Sequence, residues 1–207
     1  MGCCSSGMQS FNATYFDALY ECSNDPWGFR SRWYEQRKRS IVLACLDQPL
    51  YSRVFEPACA NGELAAALAP RCQHLLASDF HTLAVGQAKS RLSVFPHVKV
   101  EQRRLPRDWP PGAFDLIVFG EIGYYLDREA LRLVLRQSRG ALTAGGSFVA
   151  CHWRPAIEGA VNSGDDVHSV IRAEFAEAPL LSHLEDDFIL ELWSMDRRSV
   201  ATREALR

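Results

Sequence analysis

The sequence predicts an α/β fold, an open and mostly parallel sheet with helices on both faces, from three observations. Between residues 51 and 153 short apolar runs that suit buried strands alternate with segments at helical spacing. The first run ends in an acid and opens into small residues before a helix: Arg53-Val-Phe-Glu56-Pro-Ala58-Cys59-Ala60-Asn61-Gly62-Glu63-Leu64. A second acid, Asp79, ends the next strand-like run roughly twenty residues further on, the spacing at which a nucleotide-binding α/β unit places its ribose-binding acid.

The elements follow in order. Asn24-Asp25-Pro26-Trp27 supplies a capping acid and a proline at a helix start, and the helix is expected to run to about Leu46. Its apolar faces come from Trp33, Tyr34, Ile41, Val42, Leu43 and Cys45, with Glu35, Arg37, Lys38 and Arg39 at exposed or ligand-facing positions. Lying ahead of the turn at Glu56, such a helix can act as a lid, which makes Trp27 and Tyr34 candidates to cover a ligand. Val54 and Phe55 belong to the first strand. Ala58, Cys59, Ala60 and Gly62 carry so little side chain that a ligand can lie against the backbone there. The helix after them closes at Ala69-Pro70, the second strand runs from Leu75 to Asp79, and a helix through Leu83, Val85, Ala88 and Leu92 ends before Pro96.

A third strand is expected from Val98 to Gln102, then a proline-rich loop from Arg104 to Gly112, then the fourth strand Phe114-Asp-Leu-Ile-Val-Phe119. Glu121-Ile-Gly-Tyr124-Tyr125-Leu126 leaves the carboxyl end of that strand, the edge where open α/β sheets bind ligands. Asp127 caps a helix carrying Leu131, Val134, Leu135 and Leu142, and Gly145-Gly146 turns it into a fifth strand from Ser147 to Trp153. That strand delivers His152 and Arg154 to the ligand edge, and Gly164-Asp165 starts a helix that brings His168 one turn in. Phe188 to Trp193 reads as a last strand, and the tail beyond Arg197 as a solvated end.

Composition bounds the rest. A chain of 207 residues with 47% hydrophobic content suits one domain with a substantial core, and no run of about 18 apolar residues suggests a membrane span. The formal charge of -2, with only Arg103-Arg104 and Arg197-Arg198 as small basic spots, argues against a nucleic-acid surface. Seven cysteines without metal-ligand spacing point to reduced thiols, a cytoplasmic setting and no metal site. Residues 1–14 read as a disordered leader, although Met1-Gly2-Cys3-Cys4-Ser5-Ser6 also fits a myristoylation pattern. Residues 15–207 then form the domain: 15–50 lid helices, 51–153 the cofactor-binding core, and 154–207 elements on the substrate side.

The pattern acid-x-small-x-small-x-Gly with an acid ending the second strand resembles the S-adenosylmethionine site of Rossmann-like, class I methyltransferases, with Ala58 and Ala60 in place of two of the three usual glycines. Asp25-Pro26-Trp27, the Glu56 turn, Phe114 to Val118, Glu121, Tyr124-Tyr125-Leu126 and Gly145-Gly146, in that order, resemble the nodulation protein S family. The resemblance covers about residues 15 to 155 and implies a seven-stranded sheet and an S-adenosylmethionine-dependent N-methyltransferase. Its acceptor would be an amino sugar, a deacetylated oligosaccharide or another small amine. It further implies cofactor contacts from Glu56, Ala58, Cys59, Ala60, Gly62, Asp79, Glu121 and Trp27. The acid usual after the third strand is replaced by Arg103-Arg104-Leu105, so backbone groups of Arg104 and Leu105, or Asp108, are the candidates for the adenine amine. Glu121 and His152 are the candidate proton acceptors, and Tyr34, Tyr124, Tyr125, Arg154 and His168 the candidate acceptor contacts. Two other functions fit the same fold: a protein that binds the cofactor without catalysis, and a nicotinamide-dependent oxidoreductase, which the absence of Gly-x-Gly-x-x-Gly disfavours.

Overall fold

The computed structural model describes residues 13–207, so the pattern at Gly2 and the expected leader up to residue 12 lie outside the described residues, while Ala13 and Thr14, assigned to that leader, instead open the first helix. Helix α1 (Ala13–Cys22) is followed by a compact turn and then by α2 (Trp33–Cys45). The expectation that one helix runs from Asp25 is corrected here. The carboxylate of Asp25 accepts from the backbone N–H groups of Phe29 at 2.9 Å and Arg30 at 3.0 Å, and Gly28 adopts φ 71°. Together they close a turn, and the helix starts only after it.

From there the alternation follows: β1 (Tyr51–Pro57), α3 (Glu63–Leu68), β2 (Cys72–Asp79), α4 (Thr82–Leu92), β3 (Val98–Gln102), β4 (Phe114–Gly120), α5 (Arg128–Ala141), β5 (Leu142–Trp153), α6 (Gly164–Phe175), β6 (Leu181–Leu184), β7 (Phe188–Ser194) and α7 (Val200–Arg203). The seven strands form one sheet in the order β3-β2-β1-β4-β5-β7-β6, and β7 is antiparallel to both its neighbours while the β1 to β5 pairings are parallel. Alternate residues bury opposite faces, as the two-residue period of a strand requires. Phe55, Ile117, Phe119 and Phe148 pack under α5 and α6, while Val54, Leu116, Val118 and Val149 pack with residues of α2, α3 and α4. None of the described helices is long and apolar enough to cross a membrane.

Three boundaries differ from expectation. Leu142 already belongs to β5, and the register with β4 jumps from Phe114↔Leu142 to Leu116↔Ser147, so Gly145-Gly146 lies in an irregularity within the strand. The short β6 was not foreseen, because two leucines three residues apart carry no strand period. The tail is not wholly solvated: Ser199 caps α7, and Arg203 Nη2 reaches Asp47 Oδ2 at 2.9 Å. The Asp127 cap is present, its Oδ1 accepting from the N–H of Ala130 at 2.8 Å, and Ser163 with Asp166 forms a reciprocal capping box on α6.

The seat of α6 depends on a glycine. A Cβ on Gly164 would stand 2.3 Å from the carbonyl oxygen of Trp153 and 3.3 Å from His152 Cβ. Gly164→Ala is therefore expected to push α6 off β5 and destabilise the fold by about 2–3 kcal/mol, read as a fall in the urea midpoint at unchanged m. An unshifted midpoint would show that the helix start can yield freely.

Candidate active site

The site lies where the sheet order reverses, because β1 is flanked by β2 on one side and β4 on the other, and the crevice beyond their carboxyl ends is the ligand position of such sheets. After β1 the chain makes a turn of small residues in which Ala58 (φ 55°) and Ala60 (φ 46°) hold the left-handed conformation and Gly62 sits at φ 79°. For alanine that conformation costs roughly 1–2 kcal/mol, strain of the kind that collects at functional sites. Gly62 needs no side chain for a further reason: a Cβ there would stand 3.2 Å from Ala88 Cα on α4.

Asp79, buried at the end of β2, ties this turn in place. Its Oδ2 accepts from the N–H of Ala60 at 3.0 Å and its Oδ1 from that of His81 at 2.9 Å. Burial pushes its carboxyl pKa up, and those N–H groups draw it back. Glu56 is fully buried with Oε2 unpartnered, and burial, then the charge of Asp79, hold its carboxyl well above the usual range. A buried carboxylate oxygen left alone is costly and is a sign of a missing partner.

Two adjoining cavities open here. The larger, of about 550 Å³, is lined by Asp79, Ala58, Ala60 and Glu121 and roofed by aromatic rings of α1, the following turn and α2, including Trp27 and Tyr34. The smaller, of about 70 Å³, reaches Glu56, Cys59 and Asn61. Trp27 stacks on Phe29 with ring centres 5.4 Å apart, and Tyr34 meets Trp153 edge-on at 5.3 Å. The Tyr34 hydroxyl is buried and unpartnered.

At the end of β4, Glu121 is held at φ 56°, a left-handed conformation for a non-glycine residue. Its Oε1 accepts from Lys38 Nζ at 2.8 Å, and its Oε2 accepts from the Tyr124 hydroxyl and from the N–H of Trp153 at 3.3 Å. Lys38 also bonds Glu35, Nζ to Oε2 at 3.1 Å. Burial works against the ammonium, but Glu121 and Glu35 outweigh it and the Lys38 pKa is raised. Glu35 and Lys38 were not singled out from the sequence as site residues. The available signal was their spacing: with Val42 they recur at i, i+3 and i+7, the buried face of α2.

The structure thus brings Glu56, Ala58, Cys59, Ala60, Asp79, Glu121, Trp27, Tyr34, Tyr124 and Tyr125 to the two cavities. Other candidates are placed elsewhere. Gly62 shapes the turn without lining either cavity. Leu105 is buried in the core, and the Arg104 N–H is taken by Asp108 Oδ2 at 3.0 Å while its guanidinium lies over the Phe80 ring, so neither residue lines the larger cavity. His152 is fully buried with Nε2 accepting from the N–H of Gly123 at 3.2 Å, and its Nδ1 lies 3.2 Å from His168 Nε2. His168 is buried against Glu191 at 2.7 Å. Arg154 pairs with Asp165 at 3.0 Å. None of these three lines a cavity: His152 is buried beneath Gly123, His168 sits on the buried face of α6, and Arg154 turns away to Asp165 and to the carbonyl of Glu185 between β6 and β7.

A family model described as nodulation protein S (NodS) matches residues 19–163. Nodulation protein S of Rhizobium tropici is 28% identical over 129 residues, 61% of this chain and 54% of that one, and the Sinorhizobium fredii protein is 29% identical over the same length, covering 60% of it. The chain therefore spans little more than half the length of these curated relatives. Among solved structures, a chain from Pseudomonas syringae provisionally named a methyltransferase is 46% identical, with 79% of this chain and 99% of that one covered and a TM-score of 0.71. The N-methyltransferase NodS from Bradyrhizobium japonicum, in complex with S-adenosylhomocysteine, gives a TM-score of 0.76 at 24% identity over 86% and 97% of the two chains. The fold is that of the Rossmann-like class I methyltransferases. With the turn after β1, the acid ending β2 and the Glu121 loop all inside a match that covers most of its length, this chain belongs to the nodulation protein S family.

Proposed function

We propose that the chain is an S-adenosylmethionine-dependent methyltransferase acting on the amine of a small molecule, with an amino sugar or deacetylated oligosaccharide as the first class to test. The unpartnered Glu56 carboxylate, buried beside a turn of left-handed small residues, is the observation that carries the reading. A cavity that already supplies an acid at the end of β2 and an aromatic roof fits a nucleoside-bearing cofactor. Glu56 and the turn from Ala58 to Ala60 would hold its amino-acid end, Asp79 its ribose, and Trp27 its outer face. When bound, that cofactor supplies a methyl group on a positively charged sulfur, which an acceptor lone pair can displace.

The chain's own part is to align the acceptor and exclude water. Helices α1 and α2 form the lid, and Tyr34, Tyr125 and Trp153 wall the acceptor side. An amine attacks only as the free base, so a carboxylate at that wall must take its proton. Glu121 is placed for this. His152, sealed beneath Gly123, serves the loop instead. An amine acceptor is favoured by the N-methyltransferase named among the related structures and by the two acids, Glu35 and Glu121, at the same wall. The family match favours neither the nicotinamide reading nor binding without catalysis.

Thermal unfolding with and without S-adenosylhomocysteine tests this directly. At about a hundredfold excess over Kd the ligand stabilises the native state by about 2.7 kcal/mol, a rise of roughly 5–10 °C in Tm for a chain of this size. Asp79→Ala is expected to abolish most of that rise. No shift from S-adenosylhomocysteine together with a clear one from a nicotinamide dinucleotide would overturn the proposal.

A further inference from the structure

The buried face of α2 carries charge where an amphipathic helix carries hydrocarbon. Glu35 and Lys38 are both more than nine-tenths buried, and Lys38 Nζ sits 2.8 Å from Glu121 Oε1, 3.1 Å from Glu35 Oε2 and 5.0 Å from the centre of the Tyr34 ring. All three charged residues line both cavities, so they stand at the junction between them. One lysine facing one carboxylate would be neutral. The second carboxylate, Glu35, leaves the cluster with one surplus negative charge, and a buried charge without a partner is so unfavourable that it calls for one.

The neighbours do not cancel that surplus. Tyr34 on α2, Tyr124 beyond β4, and Cys45 and Cys151 are kept protonated, burial raising the pKa of each. Arg39 lines the smaller cavity and its charge draws the Glu35 carboxyl down, but its guanidinium bonds the carbonyl of Phe29 at 2.7 Å and neither carboxylate, so it weakens the surplus without pairing it. Arg32 and Asp79 line the larger cavity but bond to none of the three. Burial pushes the Glu35 carboxyl up and Lys38 draws it back, as expected of an acid that waits for a second cation.

We propose that Glu35, Lys38 and Glu121 form a buried anionic cluster that recognises positive charge at the point of transfer, and so selects an acceptor that binds or leaves as an ammonium ion. Lys38 holds the two carboxylates together against their repulsion, and the remaining charge is complementary to one ligand cation. This rests on the methyltransferase reading.

The test is calorimetric and needs no acceptor. S-adenosylhomocysteine carries a neutral thioether at the transfer point, whereas sinefungin carries an ammonium-bearing carbon there. Wild-type protein is expected to prefer sinefungin. Glu35→Gln, nearly isosteric, neutralises the cluster and should cut that preference about tenfold. Lys38→Met leaves two negative charges and should raise it. The double variant Glu35→Gln/Lys38→Met restores one net charge and should return the preference to within about threefold of wild type. A purely structural role for α2 would not give opposite signs followed by rescue. Either single variant suffices if the other does not fold, since their signs differ. Unchanged preference in Glu35→Gln or Lys38→Met, with S-adenosylhomocysteine still bound, would overturn the cluster and leave the methyltransferase reading standing. Wild-type protein that binds neither ligand would overturn both.

Discussion

Glu121→Gln is expected to lower methyl transfer to an amine acceptor by about a hundredfold or more, in kcat rather than KM, with S-adenosylhomocysteine affinity changed by less than about threefold. The size follows from what the carboxylate does at once. It leaves β4 in a left-handed conformation that the loop enforces through its N–H bond to the carbonyl of Cys151 at 3.0 Å. One oxygen holds Lys38 and the other accepts from Tyr124 and from the Trp153 backbone. Glutamine keeps the shape but has one oxygen where two were accepting, so its NH₂ group must face a donor. It can neither take a proton nor offset positive charge, and both roles matter most as the new N–C bond forms. Activity equal to wild type would remove Glu121 from the reaction.

The second large effect is on stability and lies in the histidines that the cavity does not use. Gly123 N–H donates to His152 Nε2, so that nitrogen is unprotonated and the ring proton sits on Nδ1, facing His168 Nε2 at 3.2 Å. His168 in turn donates from Nδ1 to Glu191 Oε2 at 2.7 Å, and Arg172 closes on Glu191 Oε1 at 2.6 Å. Each link works only with both imidazoles neutral. Burial, then the neighbouring His168, holds the His152 pKa well below its ordinary value, and burial lowers that of His168 although Glu191 opposes it.

The sign follows. Above the unfolded histidine pKa of about 6.5 neither state binds these protons and the stabilisation is complete. Below it the unfolded chain takes up protons that the native state refuses, so stability falls until the depressed folded values are reached. A group that stays neutral throughout contributes about 1.5–2 kcal/mol between pH 6.5 and pH 5, and His152, the more strongly depressed of the two, carries most of the effect. Glu191, held down by His168 and Arg172 despite its burial, contributes a separate loss only at lower pH. Urea midpoints from pH 7.5 to 5 should therefore fall more steeply for wild type than for His152→Gln, which can still accept from Gly123 and donate towards His168. Parallel slopes would place the acid sensitivity elsewhere.

Much of the fold was legible because β1, β2, β4 and β5 lie inside the sheet, bury residues on both faces and carry apolar runs, while Asp127 and the Ser163 region announce helix starts by their own chemistry. The Asp25 region was misread because an acid followed by proline caps a turn as readily as a helix, and only the closure onto Phe29 and Arg30 separates the two. The irregular start of β5 was hidden for a similar reason: a glycine pair ends a helix in sequence, yet here it relieves a register shift inside a strand.

For the site the division is sharper. The small-residue turn, Asp79 and Glu121 are each tied to a strand end, and in a parallel sheet all such ends meet at one edge, so sequence order alone determined that they converge. His152 and Arg154 share that edge but not the cavity, because which side of a strand end stays open depends on what packs over it, here α6 and the β6–β7 hairpin. Lys38 and Glu35 show the converse: on an isolated helix they read as exposed or ligand-facing without a choice between the two, while Trp33 beside them reads as part of an apolar face. In the structure Trp33 is 73% exposed and the pair is buried. Helical periodicity determines which residues share a face, but the direction that face points is decided by the elements it docks on, and only tertiary packing placed this ammonium against Glu121.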